Sequence, residues 1–444
     1  MLSHLKLSIH TRNNMTDFTK ETYALNTSSS LKARHAKEAR FKWYGRIAIL
    51  IALSFLVFMF SAILLRGLGA FQQTKISLEV SFSEQVIDPS GERNPEVLTR
   101  VNYKPVLTQA LAKTFPNISE RRDKRNLYKL LSSGAIYEIG ELVSGNHDII
   151  GTTQTIWLSA SSEVDLFMKG KIDAGLPEDL RRLKDKDINY IETLIQNGQI
   201  KKKFNTAFFM NGDSREPEMA GILGAALGSF FSLLVCFIIA FPLGILTAVY
   251  LEEYARKSII TDLIEININN LAAVPSIVFG LLGLSIFLGV FHIPRSTPLV
   301  GGMVLALMTL PTIIIAARAS LRSVPQSVRD AAFGLGASKT QATFHHVVPL
   351  AMPGMLTGTI LGMAQALGET APLLMIGMVA FIVDIPHGVT DVATSLPVQI
   401  FLWADSPEKG FVERTSAAII VLLAFLILMN LLAVFLRKKL ERRW

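Results

Sequence analysis

The chain has 444 residues, half of them hydrophobic and 18% charged, with a formal net charge of +8. A soluble domain carries roughly a quarter charged residues, so much of this chain is predicted to lie in lipid. Its single cysteine, Cys236, lies in an apolar stretch, which excludes an intrachain disulfide and argues against a thiol-based zinc site. The basic residues flank apolar runs rather than gathering on a soluble module, so no nucleic acid is expected as a partner.

Residues 1–41 are predicted to be a disordered cytoplasmic tail, because Met1 to Ser30 are polar and show no sustained period. A bilayer-crossing helix needs about 20 mostly apolar residues. The first uncharged run, Ile47 to Leu65, lies between Arg46 and Arg66 and reads as a retained anchor within a first transmembrane helix at 42–66. Further runs follow at Met219–Leu251, Ile266–Phe291, Ser296–Ala317, Val347–Val383 and Thr415–Leu436, the fifth interrupted by Glu369. The second and fifth exceed one crossing, so part of each must tilt or lie outside the membrane.

Lys and Arg cluster before the first run, between the second and third, between the fourth and fifth, and after the sixth. The loop between the fifth and sixth is mainly acidic. Six spans with both termini cytoplasmic fit this bias. The long segment 67–218 then lies outside the inner membrane, despite its many basic residues, because long loops translocate largely regardless of charge.

That segment has domain size. Ile76, Leu78, Val80 and Phe82 alternate with polar residues, as in a half-buried strand. A second strand is expected at Thr153–Ser159, and helices around Tyr103–Phe115, Ile118–Ser144 and Glu178–Asn197, making a small α+β domain. It contains no metal cluster or catalytic constellation in its sequence pattern. Its basic run, Arg121, Arg122, Lys124 and Arg125, reads first as a solvated helix face and second as an attractor for an anion or acidic partner.

The stretch 322–349 carries the most information. Pro325 and Ser327 mark a helix start, and helical spacing presents Val328, Ala331, Ala332 and Leu335 as one small apolar face. Gly336 ends that helix, and Ala337–Phe344 can form another. The run Gly334–Thr340 is no phosphate-binding loop, since Ser338 rather than Gly precedes Lys339. The chain therefore has no nucleotide site in its sequence.

Asp330-Ala331-Ala332, with Gly336 and Pro349 at the family's spacing, resembles the EAA loop of binding-protein-dependent ABC importers. Asp330 for Glu, His346 at a usual apolar position and Val348 for Leu are mild departures. Gly244–Ala255, Asn267–Leu284, Ala366–Leu374 and Leu396–Trp403 resemble the PstA-type phosphate permeases. The resemblance covers 219–444 and not the outer domain. It implies an all-α membrane protein: six transmembrane helices of the type I ABC importer permease fold, with the α+β domain of 67–218 inserted on the periplasmic side. It implies an inner-membrane subunit that forms the path with a second homologous permease and is no enzyme itself. An ATPase homodimer uses ATP and Mg, a periplasmic phosphate-binding protein delivers phosphate, and no cofactor is bound by this chain. Asp330, Ala331, Ala332 and Gly336 are implied to couple to the ATPase.

Six residues are expected along the path. Glu369 is an ionisable group inside a span, where such groups face a bundle interior or wet cavity. Near phosphate it has to be protonated or paired with a cation; the other reading is a structural ion pair between helices. Thr370 and Gln365 offer neutral donors, and Ser276 follows a Pro break that exposes backbone N–H groups. Gln365 stands where the family often has Arg, and Arg318 where an acidic residue is common. Arg318 and Arg322, or the partner permease, are therefore expected to supply the compensating charge. Rival readings are a permease for molybdate, sulfate or phosphonate, a membrane sensor with a periplasmic ligand domain, and an ion-driven secondary transporter.

Overall fold

A computed structural model describes residues 3–89, 91, 93, 98, 101–118, 120–379 and 381–440. Arg442 and Arg443, the last of the expected basic flank, lie outside the described residues. The chain divides into two compact units, Met1–Ile63 and Leu64–Trp444. The first unit is helical from Ser3, part of a helix (α1) spanning Ser3–Gly67. Residues 3–41, expected as a tail, belong to this helix. No Pro or Gly precedes Gly45, so nothing in that backbone breaks a helix.

In the second unit, a three-stranded antiparallel sheet comes first. Strand β1 (Gln72–Ser81) lies between β2 (Thr153–Ser159) and β3 (Ile200–Phe204). Ile76 pairs with Leu158 on one side and with Ile200 on the other. β1 turns Ile76, Leu78 and Val80 into a core closed by Leu107 from helix α2 (Lys104–Thr114), Leu127 from α3 (Arg121–Tyr128), Ile139 from α4 (Ala135–Gly145), Val164 from α5 (Ser162–Met168) and Ile191 from α6 (Asp185–Gln196). The single helix expected over Ile118–Ser144 is two, because Lys129–Gly134 turns between them and Leu131 bridges to Ala160 beside the sheet.

Among the described residues, five helices are long and apolar enough to cross a membrane: Ala33–Phe71, Leu223–Tyr254, Pro298–Arg322, Lys339–Gly368 and Lys409–Leu432. A sixth candidate is a bent pair, Ile259–Ala272 and Ser276–Val290, whose axes meet at 101°. The bend falls at Pro275, which disfavours helical backbone at the residue before it and removes a donor. We label α7 (Thr206–Met210), α8 (Leu223–Val249), α9 (Ile259–Ala272), α10 (Ser276–Gly283), α11 (Pro298–Arg322), α12 (Gln326–Gly334), α13 (Val348–Gly368), α14 (Ala371–Met375), α15 (Leu396–Ala404) and α16 (Lys409–Leu440). The fifth apolar run does not continue to Val383 as one helix. It stops at Gly368, and Glu369 and Thr370 separate it from α14.

Small residues let these helices approach without a hydrophobic drive between them. A Cβ on Gly244 of α8 would lie 2.6 Å from the Ile313 side chain of α11. One on Gly280 of α10 would lie 2.7 Å from the Pro372 backbone of α14. Cys236, Val304, Ile313, Ile376 and Val398 form the resulting core.

The α+β domain joins the helices through hydrogen bonds and buried charge. The first turn of α8 is capped by α7: Ile222 N donates to Phe208 O at 2.9 Å and Leu223 N to Asn211 O at 3.1 Å. Lys169 lies between Asp165 (2.6 Å) and Glu413 of α16 (2.9 Å), with all three side chains at most 10% exposed. Arg414 donates to the Glu218 carbonyl at 3.3 Å, and the Trp403 indole donates to Asp213 at 2.9 Å. Burial raises the Asp213 carboxyl above its usual range, partly offset by that indole. It pushes Glu218 up to about 7; Glu218 Oε2 is buried without a hydrogen-bond partner.

Candidate coupling loop and translocation path

Helix α12 opens after Pro325, whose ring fixes its φ at −58° and leaves no N–H to satisfy. The start expected near Ser327 is therefore at Gln326. The helix ends where Gly336, at φ +83°, donates its N–H to Phe333 O at 2.9 Å. This left-handed closure is what glycine permits. Asp330 is exposed and accepts from Gln326 Nε2 at 3.1 Å.

The expected apolar face divides. Ala332 is buried and Val328 half-buried, whereas Ala331 is exposed and Leu335 is 90% exposed. Leu335 lies past the last helical turn, where the helical period no longer sets direction. Phe333 is exposed as well, so Phe333 and Leu335 present apolar surface beside Asp330. The second short helix expected at Ala337–Phe344 starts at Lys339. There Ser338 and Gln341 form a reciprocal capping box, and the chain runs on through a wide turn at Ala342–Val347 into α13.

Arg318 and Arg322 are not free charges. Arg318 Nε donates to Glu252 at 2.6 Å, and its Nη2 donates to Glu265. Arg322 Nε donates to the other oxygen of Glu252 at 2.9 Å. Arg318 thus ties the end of α11 to the turn after α8 and to α9, and Arg322 ties it to the same turn, so both charges expected to meet phosphate are held in ion pairs within this chain. The sequence reading missed Glu252 and Glu265. The available signal was a Glu pair at the end of one apolar run with arginines at the end of another.

Glu369 caps α13 in extended backbone and is half-buried, with Thr370 next to it. Gln365 is exposed, one turn earlier. Among the described residues Glu369 has no ion-pair partner. Ser276 is half-buried at the start of α10, the helix whose Gly280 lies against α14. The two helix breaks, at Ala273–Pro275 and at Glu369–Thr370, are thus placed on elements that pack together.

Residues 240–444 match the family described as the binding-protein-dependent transport system inner membrane component. The chain is also 34% identical over 238 residues to a Mycobacterium tuberculosis (strain CDC 1551 / Oshkosh) protein named phosphate transport system permease protein PstA 1, covering 53% of this chain and 76% of that one. The chain belongs to this family of inner-membrane transport components. It is a non-catalytic permease subunit of an ABC importer. A Yersinia pestis protein named phosphate transport system permease protein PstA is 33% identical over 49% of the permease and 74% of its own length. A Bacillus subtilis (strain 168) protein named probable ABC transporter permease protein YqgH is 29% identical over 56% and 82%. Among solved structures, the inward-facing MetNI methionine ABC transporter matches with a TM-score of 0.38 at 15% identity, over 50% of the permease and 95% of that chain. Residues 28–178 match a domain of unknown function, DUF3333.

Proposed function

We propose that this permease is the membrane subunit of an ATP-driven phosphate importer of the bacterial inner membrane. It forms the path with a second homologous permease and receives its stroke from a separate ATPase. The cargo assignment is supported by relatives named as phosphate permeases that align over about three quarters of their length. The observation that carries the coupling role is the loop at α12. It exposes Phe333 and Leu335 around a glycine closure and places Asp330 outward. Exposed apolar side chains on and just past a short, defined helix suit docking in a cleft of a partner protein.

In this reading six spans place both termini in the cytoplasm and the α+β domain in the periplasm, where a phosphate-binding protein delivers cargo. Phosphate passes Glu369, Thr370, Gln365 and Ser276. Glu369 is protonated when phosphate is beside it, or is paired with a cation of the second permease, because a bare carboxylate repels the anion. With Arg318 and Arg322 engaged by glutamates, the compensating charge comes from that second permease.

Radiolabelled phosphate uptake in phosphate-starved cells, with and without the gene and with excess sulfate and molybdate, tests the cargo. Loss of high-affinity uptake on deletion, insensitive to both competitors, is the expected result. Unchanged uptake in a strain lacking other phosphate importers would overturn the phosphate assignment in favour of another oxyanion.

A further inference from the structure

The turn that follows α8 is wide: Ala255 N donates to Tyr250 O at 2.8 Å, five residues back. Such π-turns insert an extra residue and recur at functional sites. Here three consecutive side chains, Glu252, Glu253 and Tyr254, each hold a different part of the segment running from the end of α11 to the start of the next span. Glu252 holds Arg318 and Arg322. Glu253 accepts from Arg329 of α12 at 2.6 Å, and the two side chains are 9% and 14% exposed. Arg329 also donates to Leu321 O at 3.1 Å and to Val324 O at 2.9 Å, the last carbonyls of α11 and its turn. The Tyr254 hydroxyl meets Thr340 Oγ1 at 3.5 Å, and the Lys339 ammonium lies 5.3 Å from the Tyr254 ring centre. The entrance, middle and exit of the loop are therefore fastened to one turn.

Packing alone does not hold α12. Ala332 is its one buried residue, and beside it lies an open cleft of about 560 Å³ lined by Glu253, Arg322, Gln326, Arg329 and Phe333. Arg329 is suited to the task, since its planar donors satisfy a carboxylate and two carbonyls at once. Removing Glu253 leaves a largely buried guanidinium without its counter-charge, which is costly.

We infer that Glu253 and Tyr254 are positioning residues for the coupling loop, and that Glu253 sets the angle of α12 through Arg329. The inference rests on the reading of α12 as the segment that docks on the ATPase.

The test uses the full transporter purified with its ATPase and reconstituted in liposomes, comparing wild type, Glu253→Gln, Glu253→Asp, Arg329→Gln and the Glu253→Gln/Arg329→Gln double variant. The readouts are ATPase co-purification and phosphate moved per ATP hydrolysed. Glu253→Gln is expected to keep its ATPase and lose about tenfold in phosphate per ATP, the scale of losing one charge-assisted bond that selects one loop arrangement. Glu253→Asp restores much of that ratio. The double variant is no worse than Arg329→Gln alone, as for two residues acting through one contact. A wild-type ratio in Glu253→Gln, additive losses, or loss of the ATPase itself would overturn the inference. Absence of ATP-driven uptake in the wild-type complex would instead sink the functional reading beneath it.

Discussion

Gly336 shows how one backbone angle sets the exit of a helix. A Cβ at this position meets nothing within 4 Å, so space is no constraint, yet φ is +83°. For a β-branched residue that region is strongly disfavoured, by roughly 1–2 kcal/mol or more. Gly336→Val is therefore expected to shift the exit of α12 rather than unfold the chain. Uptake should fall several-fold while the melting temperature of the purified complex changes by only a few degrees. Normal uptake by this variant would count against the docking role. The glycine was legible, because a helix followed by Gly at a fixed spacing is a stop signal. The roles of Arg318 and Arg322 were not. Their partners lie 66 and 53 residues away from Arg318 in the chain, and no local pattern announces a contact that the packing of α8, α9 and α11 creates.

At the scale of elements, apolar run length pointed to the long apolar helices, since about 20 uncharged residues have few other uses, but not to the bend in the third run or to the stop of the fifth at Gly368. The strand Gln72–Ser81 was visible through the alternation of Ile76, Leu78 and Val80, though Phe82 lies just past its end, and Thr153–Ser159 was expected with the bounds it has. β3 was missed because Ile200–Phe204 reads IKKKF: three adjacent lysines hide the period of a strand whose last four residues are exposed. Pro275 pointed to a break but not to its 101° angle. That angle depends on what α10 packs against, and the close approach at Gly280 supplies the answer. Both nearest atoms to a Cβ there are Pro372 backbone, at 2.7 and 2.9 Å, and backbone cannot rotate aside. Gly280→Val is expected to destabilise by about 1–3 kcal/mol through overpacking. It should also separate α10 from α14 and reduce uptake more than ATPase co-purification. Retained uptake and an unshifted thermal midpoint would show that α10 and α14 can part without consequence.

At the scale of the molecule, the α+β domain is tied to the helices it precedes. Lys169 between Asp165 and Glu413, Arg414 on the Glu218 carbonyl, and Trp403 on Asp213 bury charge where the domain meets α8, α15 and α16. Glu218 makes that junction sensitive to pH. The residue is 4% exposed, its Oε2 is unpartnered, and burial raises its pKa from 4.5 to about 7. Below about pH 4.5 the group is protonated whether the junction is formed or open, and no stability depends on it. Between that value and about 7 the folded protein holds a proton that the unfolded chain has released. Stability therefore falls as pH rises through this window and levels off above it. The full effect is on the order of 3 kcal/mol for such a shift. Glu218→Gln keeps the shape and carries no charge. In detergent, the thermal midpoint of the wild-type complex is expected to drop from pH 5 to pH 8 more than that of Glu218→Gln, with the variant the more stable at pH 8. Asp213, also raised by burial, contributes the same sign and remains in the variant, so part of the slope persists. Parallel midpoint curves for the two proteins would show that Glu218 ionises without cost, and that the junction is open to water.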